Sequence, residues 1–266
     1  MMRIALGIEY DGRGYHGWQK QANLVTVQET LETALSKIAQ EPIEVVCAGR
    51  TDTGVHASGQ VIHFDTNVER NMRAWVFGTN SFLPHDICVR WAKRVPKDFH
   101  ARYSAQSRTY RYIIYDQSIR PALFRHNVTW QYRALNTEKM QEAANHLIGE
   151  HDFSSFRSSD CQASTPIRHI SKLTVTRSGH THNSHHIQIE ITANAFLHHM
   201  VRNIAGVLMA IGSEKRPSLW AKEVLNAKDR RLGGETAPPY GLYLIHVLYP
   251  SHFQIPESPC AVDIFG

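Results

Sequence analysis

The stretch Cys47-Ala-Gly-Arg-Thr-Asp-Thr-Gly-Val-His-Ala-Ser-Gly-Gln-Val61 constrains this chain more than any other. Gly49, Gly54 and Gly59 punctuate it, and apolar runs flank it, Ile43 to Val46 before and Val61, Ile62 and Phe64 after. Glycines at this density permit positive φ and let backbone approach a ligand closely, so the pattern predicts a tight loop between two strands. From Val45 to Phe64 the only acid is Asp52, two residues after Arg50. With no second carboxylate to complete an acid/base pair, Asp52 reads as a lone nucleophile or a ligand clamp. The same residues also fit a surface turn closed by an Arg–Asp ion pair.

Alternation of apolar residues gives the surrounding order. Ile4 to Tyr10 is a strand, followed by a helix with Thr26 as N-cap, Glu29 three residues on, and Val27, Leu31, Leu35 and Ile38 at helical spacing. Strands over Ile43 to Cys47 and Gly59 to Phe64, a helix over Met72 to Phe82 and a strand over Ile87 to Val95 complete one βαββαβ set. Tyr110 to Tyr115 opens a second set. It continues with a helix through Met140, Ala144, Leu147 and Ile148 that ends near Gly149, then strands Ile167 to Arg177 and Ile187 to Ala193. A helix carrying Val201, Ile204, Leu208 and Ile211 follows, then an extra helix over Pro217 to Arg230 and a closing strand over Leu242 to Tyr249. The expectation is an α+β fold of two ferredoxin-like halves, 1–105 and 106–250, with an irregular tail over 251–266.

Composition narrows the class of partner. The 266 residues are 42% hydrophobic and 20% charged, with a net charge of +5, and the pI is near 9.0. That balance suits polyanionic partners without demanding one. Cys47, Cys88, Cys161 and Cys260 are scattered with no C-x-x-C pair, as expected of free thiols in a reducing compartment. No signal peptide opens the chain, and its longest apolar run, Ile204 to Ile211, is too short to span a bilayer. The chain reads as soluble and cytoplasmic.

Taken together, the motifs resemble those of the tRNA pseudouridine synthase A family, in that family's order and over nearly the whole chain. They are Tyr10-Asp-Gly12, Tyr15-His-Gly-Trp-Gln19, Gly49-Arg-Thr-Asp-Thr-Gly-Val-His-Ala57, Asp98-Phe-His-Ala-Arg-Tyr-Ser-Ala105, Arg108-Thr-Tyr-Arg-Tyr112, Asp152-Phe-Ser-Ser-Phe156, Phe196-Leu-His-His-Met-Val-Arg-Asn203 and Gly241-Leu-Tyr-Leu244. Thr53 departs from the pattern, where the family most often has Ala. The resemblance implies joined antiparallel sheets with an active-site cleft between the halves. It also implies a homodimer acting on tRNA, with isomerisation of uridine to pseudouridine at positions 38, 39 and 40 of the anticodon stem–loop.

By the same resemblance Asp52 is the nucleophile, attacking ribose C1′ or acting by another route, and Arg202 is the arginine set against it, where its own helix pattern fits a surface arginine equally. Tyr110 stacks on the target base and Arg50 assists base flipping; the alternatives are a half-buried strand tyrosine and a simple salt bridge. Arg70, Phe99, His100, Ala101, Arg102, Tyr103, Asp160, Cys161, Gln162, Ala163 and Ser164 are carried over as tRNA contacts; Leu242 and Leu244 are strand-core candidates, with Leu242 also a candidate lining residue of the uracil pocket. The chemistry needs no cofactor and no metal. A histidine group (His180, His182, His185, His186, His198, His199) has no cysteine or carboxylate at ligand spacing. Two rival readings are a non-catalytic RNA-binding protein, whose RNP signature is absent, and a metal-dependent hydrolase using those histidines.

Overall fold

The computed structural model describes residues 1–178 and 186–257; His180, His182, His185 and Cys260 lie outside them. In chain order the elements are β1 (Met2–Tyr10), α1 (Val27–Ala39), β2 (Val46–Cys47), β3 (His56–Thr66), β4 (Ile87–Val95), β5 (Ser107–Asp116) and β6 (Thr129–Gln131). Next come α2 (Thr137–Asn145), β7 (Gly149–Asp152), β8 (Ile167–Ser178), β9 (His186–Ala193), α3 (Met200–Gly212), α4 (Trp220–Ala227) and β10 (Leu242–Leu248). The fold is α+β with mostly antiparallel strands. Two compact units form: Met1–Arg108 with the described residues from Tyr243 onward, and Thr109–Leu242. The strand from Leu242, expected within 106–250, thus groups from Tyr243 onward with the first unit. Among the described residues no helix is long and apolar enough to cross a membrane.

In the first unit the strand order is β4-β1-β3-β10. β1 pairs antiparallel with β3 (Ile4 opposite Phe64, Leu6 opposite Ile62) and with β4, while β10 runs parallel to β3 through Tyr243–His56 and Leu244–Ala57. Gly59 permits that approach, since a Cβ there would lie 2.1 Å from the Ile245 carbonyl oxygen. α1 starts where Thr26 accepts the Glu29 amide, and Gln40 ends it in the left-handed region. Its buried stripe, Val27, Leu31 and Leu35, joins Ile4, Leu6, Phe64 and Trp75 in the core.

Two expectations fail here for local reasons. Only Val46 and Cys47 of the predicted Ile43-to-Cys47 strand pair with β3, because the Ile43 and Val45 amides are taken by Ser36 and Glu32 of α1. The Met72-to-Phe82 helix contains a π turn over Ala74–Gly78, and at Gly78 a Cβ would sit 2.8 Å from Ile38.

The second unit orders its strands β5-β9-β8-β7, with β6 parallel to β5. α2 packs on β8 and α3, burying Met140, Ala143, Ala144, Leu208 and Ile211. β6 and β7 are additions to the predicted set. α2 stops at Asn145 rather than near Gly149, whose φ of +108° instead opens β7. The Pro217-to-Arg230 helix shrinks to α4, with a single 3-10 turn at Arg230–Leu232.

Candidate active site

In the first unit the Asp52 loop is held from several sides. Tyr10 Oη and Thr51 Oγ1 share a buried hydrogen bond of 2.7 Å, one residue before Asp52. The Trp18 amide donates to the Thr51 carbonyl at 3.0 Å. Gly17, at φ +83°, lies so close beneath the loop that a Cβ would be 2.7 Å from the same oxygen. After Asp52 the chain reverses through Gly54 (φ +78°), and the Val55 amide returns to the Asp52 carbonyl at 3.1 Å.

The flanks are pinned as firmly. The Gly12 amide donates to His56 Nδ1 at 3.1 Å, and a Cβ on Gly12 would stand 2.0 Å from the Val55 carbonyl oxygen. That imidazole nitrogen is also 3.1 Å from Asp11 Oδ1. It cannot serve both, since its lone pair takes the amide and only a proton would suit the carboxylate; Arg13, at 2.7 Å from Asp11, supplies the positive partner. Upstream, fully buried Gln60 spans the Gly49 amide and carbonyl, and Arg108 donates to the Ala48 carbonyl at 3.0 Å. Burial pushes the Cys47 thiol up to about 12, so it is an inert core thiol. Asp52 is half-buried and Arg50 exposed. A carboxylate on a loop this constrained keeps its position without reorganising.

The segment Phe99–Tyr103 has the same construction. Arg3 donates to the Phe99 carbonyl at 2.8 Å, the Ala101 amide donates to His63 Nδ1 at 3.1 Å, and Tyr249 Oη donates to the Ala101 carbonyl at 2.6 Å. Burial, with Arg3 and His100 nearby, lowers the His63 pKa to about 4, so the ring stays neutral and keeps its acceptor. Phe99 and Ala101 are fully buried, and their side chains cannot reach an RNA. Arg102 and Tyr103 are exposed instead, with Tyr103 75% exposed, the Arg102 guanidinium 5.5 Å from its ring and the His100 ring tilted against it at 4.3 Å. Arg70 is exposed as well.

In the second unit Tyr110 is 7% exposed, its ring edge-on to Phe196 at 5.0 Å. Tyr112 is fully buried and spends its hydroxyl on Thr129 and the Pro238 carbonyl. Arg202 lies in the first turn of α3, which His199 enters at φ +62°. Its Nε donates to the Ala237 carbonyl at 2.9 Å, and the Ala237 amide returns to the Arg202 carbonyl at 3.1 Å. Next to it, buried Asn203 donates to the Phe156 carbonyl and accepts from Thr236 and Arg230. Leu242 is buried at 4%. Asp160, Gln162 and Ser164 are exposed on a loop where Cys161 and Ala163 are half-buried.

The sequence alone points to no role for Tyr10, Gly12, His56, Gln60 or His63. The Tyr10-Asp-Gly12 motif was a signal for the first two; nothing in a single sequence reveals that Arg108 and Gln60 are buried clamps.

A family model described as tRNA pseudouridine synthase matches residues 7–104 and 143–250. A curated tRNA pseudouridine synthase A of Legionella pneumophila (strain Lens) is 62% identical over 257 residues, covering 97% of this chain and 96% of the relative. Another, of Coxiella burnetii (strain Dugway 5J108-111), is 58% identical over 259 residues, covering 97% of both chains.

Proposed function

This chain belongs to the tRNA pseudouridine synthase family, and from that membership we propose that it isomerises uridine to pseudouridine in the anticodon stem–loop of tRNA, at positions 38, 39 and 40. The observation that carries the reading is the brace around Asp52, a half-buried carboxylate on a loop fixed from both flanks. The reaction breaks the uridine N1–C1′ bond, forms a C5–C1′ bond, and exchanges the C5 proton for one on N1. It therefore needs a placed nucleophile and proton transfer rather than an outside reductant or energy source. Asp52 supplies the nucleophile, attacking C1′ or adding by another route.

In this reading the target base leaves its stem before reaction, since its glycosidic bond is otherwise covered by stacking. Exposed Arg50 takes up the vacated space or the nucleotide's phosphate, Tyr110 offers its ring to the base, and Arg202 holds the carboxylate as an anion. Arg70, Arg102, Tyr103 and the exposed residues of Asp160–Ser164 contact the RNA, Leu242 lines the uracil pocket, and the working form is a cytoplasmic homodimer. The test is incubation with unmodified tRNA followed by chemical mapping of pseudouridine. The reading predicts modification confined to the anticodon stem–loop; tRNA left unmodified, or modified elsewhere, would count against it.

A further inference from the structure

The second unit carries a cleft of about 720 Å³ between α3, α4 and the segment Gly233–Pro238. Its volume lies in the range of small-ligand sites. One wall is the half-buried Trp220 indole, with the Arg216 guanidinium 5.1 Å from its ring. Met209 and Leu232 add apolar surface, and exposed Lys215 and Arg216 stand at the rim. Glu223 and Glu235 also border the cleft, and Arg231 there is bound to Asp229. Among the described residues Lys215 and Arg216 have no acidic partner. An indole is a planar surface on which unpaired bases stack, and the two cations beside it, Lys215 and Arg216, suit a phosphate.

The wall opposite α4 is mechanically joined to Arg202. Gly234 gives its carbonyl to Arg230, which also binds Thr236 and Asn203, and Ala237 exchanges both of its backbone bonds with Arg202. Gly206 lets this segment lie against α3, since a Cβ there would be 1.9 Å from the Glu235 carbonyl oxygen.

We propose that this cleft holds an unpaired nucleotide of the substrate RNA other than the target uridine, its base against Trp220 and its phosphate toward Lys215 and Arg216. The proposal rests on RNA being the substrate. Occupancy loads the Gly233–Ala237 segment and so steadies Arg202, which makes the cleft a positioning site as well as a binding one.

An oligoadenylate pentamer tests it, because without uridine it cannot be a substrate. Titrated into the intact protein, it should quench tryptophan fluorescence saturably, and Trp220→Phe should lose that quench. The double variant Lys215→Ala/Arg216→Ala, altering only exposed side chains, should bind the pentamer about tenfold more weakly and raise KM for tRNA. A quench that survives in Trp220→Phe, or wild-type affinity in the double variant, overturns the proposal. So does tighter binding of adenosine monophosphate than of the pentamer, which would mark a free-nucleotide site. The two claims separate cleanly. A protein that makes pseudouridine without a Trp220-dependent quench loses only the cleft assignment, and one that shows the quench but makes no pseudouridine loses the synthase reading.

Discussion

The Tyr10 hydroxyl meets the Thr51 hydroxyl at 2.7 Å inside the core, one residue from Asp52. A residue of the first strand thus fixes the loop that carries the candidate nucleophile. Tyr10→Phe removes this bond and leaves Thr51 short of a partner, a loss of about 1–2 kcal/mol in stability. If the bond also aims Asp52, kcat falls about tenfold or more while KM for tRNA stays within about twofold. Thermal unfolding and steady-state kinetics on the same preparation check both.

Gly12→Ala is a harsher change at the same brace. The new methyl would collide with the Val55 carbonyl, a backbone atom that cannot swing aside. We expect a loss of about 3 kcal/mol or more, visible as a lowered denaturant midpoint. Gly14→Ala is the control, because its Cβ would meet nothing nearer than 4.0 Å.

Acid should weaken the fold in a window set by His63. Its pKa is about 4 when folded and about 6.5 when unfolded. The native state therefore binds fewer protons between those values, and the stability this group contributes is complete above the unfolded pKa. It is lost as pH falls toward 4, by on the order of 3 kcal/mol. Urea unfolding of wild type and His63→Asn from pH 7.5 to 4 should show this slope in wild type and a flatter one in the variant. Equal slopes would mean that another group carries the dependence.

Much of this was legible in the sequence, for identifiable reasons. α1 announced itself through Thr26 and the Leu31–Leu35 stripe, and the glycines of the Asp52 loop marked a tight reversal that Gly54 confirms at φ +78°. The parallel pairing of β10 with β3 joins residues far apart in sequence, which no local pattern encodes. The π turn at Ala74–Gly78 has no signature in apolar spacing, and the Ile43 and Val45 amides leave the sheet for side chains of α1. Burial of polar residues was the other blind spot. Arg108 alternates with Tyr110 and Tyr112 in the sequence, a pattern that suits an RNA-facing strand, yet it is 8% exposed and clamps the Ala48 and Arg102 carbonyls.

RNA binding should weaken steeply with salt, because basic residues that neutralise phosphates release counterions. Arg70→Ala and Arg102→Ala should each reduce the slope of log affinity against log salt by about one. A slope unchanged in both variants would remove these residues from the interface.

Burial also changes how Tyr110 must be tested. Tyr110→Ala would open a cavity beside Phe196 costing about 3–5 kcal/mol, so lost activity there would not isolate stacking. Tyr110→Phe keeps the ring, and we expect wild-type tRNA affinity with slower turnover only where the hydroxyl takes part in proton transfer.

The most direct measurement is single-turnover pseudouridine formation by Asp52→Asn on unmodified tRNA, with tRNA affinity determined in parallel. The amide preserves the size of the side chain and the backbone bonds of the loop, but it is no nucleophile. Our account predicts affinity within about tenfold of wild type and no detectable pseudouridine. Turnover near the wild-type rate by that variant would contradict it.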